Sequence, residues 1–103
     1  MAKNWHHSKE YRVWRIGVIR RDKVCVVCGT RKSRQAHHIN HGTYFPEQRY
    51  DLDNGITLCR NCHSRFHNDF VGSYRRKCTK YQFDNFMQLV GYFKELWYTN
   101  KQN

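Results

Sequence analysis

The strongest periodicity in the chain lies toward its C-terminal end. Phe83, Phe86, Met87, Val90, Phe93 and Trp97 recur at i, i+3, i+4 and i+7 spacing, which predicts an amphipathic helix. Thr79 and Gln82 are placed to form a capping box at its start, with Cys78 and Phe83 as the two halves of a hydrophobic staple. Cys78 then has a packing role, and the aromatic stripe reads as core or as a face that pairs two copies of the chain. A second helix is predicted from Ser8, a good N-cap, with Glu10 in the first turn near the positive end of the dipole. Tyr11, Trp14 and Val18 share one face of it, Val13, Ile16 and Ile19 are expected to widen that face, and Arg20-Arg21 suit its C-terminus.

Between the two helices the period shortens. Val24 to Ile39 reads as a Cys-x-x-Cys turn, a second turn at Gly29-Thr30 and a strand carrying Ala36 to Ile39. Residues 40–55, with Gly42, Pro46 and Asn54-Gly55, match neither period and are expected to form a long polar loop. Ile56-Thr57-Leu58 is a brief strand that runs into a short helix starting at Cys59 or Arg60. A basic stretch from Gly72 to Lys77 links it to the C-terminal helix. The fold class expected is α+β.

A chain of 103 residues, 39% hydrophobic with a mean hydropathy of −0.97, builds only a small core, and domains of this size often rely on a metal or disulfide staple. Five cysteines are present; Cys25, Cys28, Cys59 and Cys62 form two Cys-x-x-Cys pairs, which favour reduced thiolates on one tetrahedral zinc over disulfides. Redox Cys-x-x-Cys motifs usually occur singly, so thiol exchange is the poorer reading. The opening Met1-Ala-Lys-Asn-Trp5 has no apolar signal core and no stretch reaches membrane-spanning length. The expectation is a soluble protein of the cytoplasm.

The net charge of +11 repels itself in a compact fold unless a polyanion is the partner. Arg31, Lys32, Arg34, Arg60, Arg65, Arg75 and Arg76 are the candidate contacts, and arginines interleaved with Tyr and Trp suit a nucleic-acid surface. Once four thiolates are assigned to zinc, His37, His38, Asn54, His63 and His67 remain close to the Cys pairs with no structural role. His63 and His67, four apart on a helix, project from one face. His37 and His38 point to opposite faces of a strand. A second, open metal site is the simplest account of the surplus. A lone His63, an Asn54-Gly55 turn, or Arg60 and Arg65 on a solvated face would each be unremarkable in isolation.

Cys25-x-x-Cys28, Ala36-His37-His38-Ile39 and Asn54-Gly-Ile-Thr-Leu-Cys59-x-x-Cys62-His63 together resemble the Cys-containing HNH endonucleases. Tyr11-Arg-Val-Trp14-Arg and Arg21-Asp22-Lys-Val-Cys25 resemble that family's lead-in, so the likeness covers about residues 8–68. It implies a zinc-stabilised ββα-metal, or treble-clef, unit over residues 1–72 with its N-terminal helix. Residues 73–103, a basic linker and the amphipathic helix, would then pack on that unit or on a partner. By the resemblance, His38 is the general base, Asn54 holds the loop that orients it, and His37, His63 and His67 ligate a catalytic divalent ion. That ion would contact a phosphate oxygen and the leaving 3′ oxygen of double-stranded DNA, leaving 5′-phosphate and 3′-OH ends by nicking or cleavage. Many members carry Asp before the base where this chain has His37, as in the colicin-type branch. An all-imidazole site should prefer Mn, Ni, Co or Zn to Mg. The protein is expected to act as a monomer or as a homodimer through the C-terminal helix, and the alternative class is a zinc-stabilised treble-clef nucleic-acid-binding module without catalysis.

Overall fold

A computed structural model describes residues 5–72 and 76–92. In chain order it runs through α1 (Lys9–Asp22), β1 (Arg34–His38), β2 (Gly55–Cys59), α2 (Arg60–Phe66) and α3 (Lys80–Val90). The two strands form an antiparallel hairpin in which Arg34 faces Cys59 and His38 faces Gly55. The hairpin followed directly by α2 is a ββα unit, and α2 continues into a π-helical turn at His67–Val71.

Ser8 caps α1 as its sequence predicts, its Oγ accepting the Tyr11 backbone N–H at 3.1 Å. The buried face of α1 is narrower than expected. Trp14, Val18 and Asp22 are buried, whereas Val13 and Ile16 are 63% and 49% exposed. At 100° per residue Val13 and Ile16 sit on the far side of the helix from Trp14 and Val18, so a two-stranded hairpin covers only one stripe. Arg21, part of the basic run, turns inward at the helix end. Its guanidinium grips the Asp22 carboxylate through two contacts, at 2.8 and 3.0 Å, and donates to the carbonyls of Leu52 and Gly55. Asp22 in turn accepts the buried Thr57 N–H at 2.9 Å, which ties the end of α1 to the middle of β2. Gly55 is required by this packing rather than by a turn. A Cβ there would sit 2.5 Å from Val18 Cγ2 and 2.7 Å from Trp14 Cζ2.

Residues 40–55 hold two short 3-10 turns, Pro46–Gln48 and Leu52–Asn54, where the sequence suggested only irregular loop. Single turns are too short to leave a readable period. The predicted capping box of α3 forms, with Gln82 Oε1 accepting the Thr79 backbone N–H at 2.6 Å, and Cys78 and Phe83 are both buried in the staple positions. The helix ends at Val90, where Gly91 takes a positive φ of 74°, so it is shorter than the aromatic repeat suggested. Phe93 and Trp97 lie outside the described residues.

Phe83, Phe86 and Met87 of α3 join Cys25, Leu58, Cys62, Phe66 and Val71 in one buried cluster. Phe66 sits at its centre, edge-on to Phe83 at 5.7 Å and to Phe86 at 5.3 Å. Cutting such a ring back to alanine costs about 3–5 kcal/mol. This cluster is the floor on which the site rests, because Phe66 also meets the ring of His37 edge-on at 4.9 Å.

Candidate active site

The two Cys pairs converge. Cys25, Cys28, Cys59 and Cys62 bring their sulfurs within 4.8 Å of one another, and the Cys28 and Cys59 Sγ atoms are 3.7 Å apart. Four sulfurs about 2.3 Å from a tetrahedral zinc lie about 3.8 Å from each other, so this donor set fits a closed structural zinc. Cys59 also caps α2, its Sγ accepting the Cys62 N–H at 3.4 Å. The thiolate set therefore fixes where α2 starts.

One turn further on, His63 and His67 project from the same face of α2 and its π-turn, while β1 delivers His37. The Nε2 of His63 stands 3.1 Å from His37 Nδ1 and 3.1 Å from His67 Nε2. Gln35 Oε1, two residues before His37 on the same strand, accepts His63 Nδ1–H at 2.6 Å. That bond places the proton on Nδ1 and leaves a lone pair on Nε2, where the three rings converge. Burial, and after it the neighbouring His67, lowers the His63 pKa to about 4, and burial holds His37 well below its ordinary value. Both rings are thus neutral at pH 7. His37 and His67 are buried, and among the described residues His37 Nε2 has no hydrogen-bond partner. Three imidazole nitrogens facing one point, about 3.3 Å apart in an ideal tetrahedral set, fit a borderline divalent ion such as zinc or nickel. Among the described residues the set holds these three protein donors.

His38 points the other way, as strand alternation requires. Its ring lies flat on Trp14, centroids 3.9 Å apart and planes 8° from parallel, with Trp5 edge-on at 5.3 Å. His38 Nε2–H donates to the Arg49 carbonyl at 2.8 Å, which leaves the lone pair on Nδ1. Burial lowers the His38 pKa to about 4, with the Arg49 carbonyl pulling the opposite way. Asn54 is buried and staples the intervening loop. It accepts the Asn40 N–H at 2.8 Å and donates to the carbonyls of Asn40 and Gln48, at 2.9 and 3.2 Å. Gln48 immediately precedes Arg49, so Asn54 holds the carbonyl that fixes His38.

The basic candidates divide. Arg31, Lys32, Arg60, Arg65 and Arg76 are exposed, and Lys32 and Arg60 line an open cleft of about 600 Å³ over Cys28, Cys59 and Cys62. Arg34 is half-buried and donates to the Lys23 carbonyl at 2.8 Å. Arg75 lies outside the described residues. His41 is half-buried against Tyr44, with its Nδ1 shielded from solvent. Sequence reasoning missed Gln35, Arg49 and the Trp14 stack. The position of Gln35, two residues before His37 and so on the same strand face, was the one signal that pointed to it.

Residues 25–69 match the profile of the family described as HNH endonuclease, the family that the Cys and His spacing resembles. No curated protein and no solved structure is matched by the chain. Within the described residues no helix is long and apolar enough to cross a membrane. The matched segment holds both Cys pairs, the hairpin and every imidazole of the three-ring cluster, so the likeness to that family falls on a ββα unit whose Cys and His groups could hold metal ions.

Proposed function

We propose that the protein is a metal-dependent HNH endonuclease that hydrolyses a phosphodiester of duplex DNA. The observation that carries this is the pair of adjacent imidazoles on β1, turned to opposite sides. His37 completes the three-ring cluster, and His38 is held by its Nε2–H with Nδ1 left as a base. A zinc-stabilised binding module has no use for either.

His38 Nδ1 takes the proton of the attacking water, and the Arg49 carbonyl keeps the ring in the tautomer that can do so. Asn54 fixes the loop that presents that carbonyl. His37, His63 and His67 would hold a divalent ion, with Gln35 orienting His63. When bound, that ion supplies positive charge to the phosphate and to the departing 3′ oxygen. The products carry 5′-phosphate and 3′-OH ends. Exposed arginines at the zinc knuckle contact the phosphate backbone, which makes binding salt-sensitive and largely independent of sequence.

The test is nicking of supercoiled plasmid by protein that retains its thiolate-bound zinc and is stripped of weaker-bound ions. Mn, Ni, Co, Zn or Mg is then added back, with His38→Ala alongside. Metal-dependent nicking that falls at least about 100-fold in His38→Ala, with zinc content and melting temperature unchanged, supports the nuclease. Tight, salt-sensitive DNA binding without nicking under any ion would move the reading to the non-catalytic module.

A further inference from the structure

We propose that Trp14 is a positioning residue for the base: its indole sets the plane of the His38 ring, and the Arg49 carbonyl sets its direction within that plane. This deepens the nuclease reading and rests on it.

Three observations support an assigned position rather than incidental core packing. The stack is close and nearly parallel, at 3.9 Å and 8°. Trp14 is itself immobilised, buried and donating its Nε1–H to the Asp51 carbonyl at 2.8 Å. The strand register also makes room for it. Gly55 is the residue opposite His38, and a Cβ at Gly55 would lie 2.7 Å from Trp14 Cζ2. The side chain missing from β2 is thus the space through which α1 reaches the ring on β1.

A single hydrogen bond leaves an imidazole free to swing about that bond. A flat surface against one face removes the swing, and Trp14 supplies it. The lone pair on Nδ1 then keeps one direction between turnovers. Misplacing a catalytic group by about 1 Å costs about 100-fold in rate.

The experiment compares Trp14→Phe, which keeps a flat ring, with Trp14→Leu, which does not; both lose the bond to Asp51. Plasmid nicking kinetics, melting temperature and the ring ¹⁵N resonances of His38 are recorded for each. The expected result is a kcat within about 3-fold of wild type for Trp14→Phe and about 10- to 100-fold lower for Trp14→Leu, with KM and zinc content unchanged. The His38 ring resonances should also shift and broaden in Trp14→Leu alone, as the ring swings about its bond to Arg49 with the Nε2–H tautomer kept. Equal kcat values in the two variants, or wild-type ring resonances in Trp14→Leu, would overturn the proposal. If Trp14→Leu does not fold, exchange-broadened ring resonances in Trp14→Phe or in the wild type overturn it, and sharp resonances in both support it. A wild-type protein that nicks nothing would sink the nuclease reading, while the ring resonances still decide whether Trp14 fixes the ring.

Discussion

The thiolate knuckle and the imidazole cluster stand one helical turn apart, yet they depend on each other in only one direction. The knuckle draws two ligands from the loop after α1 and two from the end of β2 and the start of α2. It closes chain segments 31 residues apart between Cys28 and Cys59. The cluster draws one ligand from β1 and two from α2 and its π-turn, so it uses a geometry that the knuckle has already fixed. Cys59 caps the helix on which His63 and His67 ride. Folding chemistry therefore comes first in this unit, and the imidazole cluster is built on it.

Breaking the knuckle should have the largest effect. Cys59→Ser removes a zinc ligand and the α2 cap together, and structural zinc contributes on the order of 10–16 kcal/mol to folding in small metal domains. Circular dichroism should show an unfolded chain, and a native-like Cys59→Ser protein would count against a structural zinc. The reverse cut should be mild for the fold. His63→Ala should abolish metal-dependent nicking while the protein keeps one zinc and a cooperative melt; loss of that zinc on metal analysis would mean the two sites are not separable. Smaller again is Gln35→Leu, which removes the acceptor that orients His63. Titration of the imidazole site should then show about 10- to 100-fold weaker metal binding, and unchanged affinity would reduce Gln35 to a bystander.

The smallest effect concerns protons. The pKa values of His38 and His63 lie near 4 in the fold, against about 6.5 in the unfolded chain. The unfolded chain thus binds more protons between those limits. The stability these rings contribute is full above about pH 6.5 and drains away as pH falls toward 4. Melting temperature should drop between pH 7 and pH 5 while the knuckle keeps its zinc. Nicking should keep its neutral base well below pH 6.5, and a rate halved near 6.5 would place the base elsewhere.

The parts legible in the sequence are those with short-range signatures. The Cys pairs, the His63–His67 spacing, the Ser8 cap and the Thr79–Gln82 box each follow from a few neighbouring residues, and the structure holds all of them. What stayed hidden depends on pairings across the fold. Gln35 meets His63 only because β1 lies beside α2, and Trp14 meets His38 only because Gly55 leaves a gap on the opposing strand. The exposure of Val13 and Ile16 was hidden for the same reason. A helix pattern shows which residues share a face, but not how wide a surface waits to cover it.

Asn40 ties these regions into one unit. Its backbone exchanges two hydrogen bonds with the Asn54 side chain, its Nδ2 donates to Gln48 and its Oδ1 accepts the Lys80 N–H at the start of α3. The His41 N–H, one residue on, reaches the Cys78 carbonyl. The loop that holds the His38 ring is therefore latched at its far side by a helix outside the family match. Local opening of that loop requires the first turn of α3 to let go as well, so the two should exchange their amide hydrogens as a single cooperative block. A substitution in α3, remote from the thiolate and imidazole clusters, would then register as a change in how long the His38 ring stays in place.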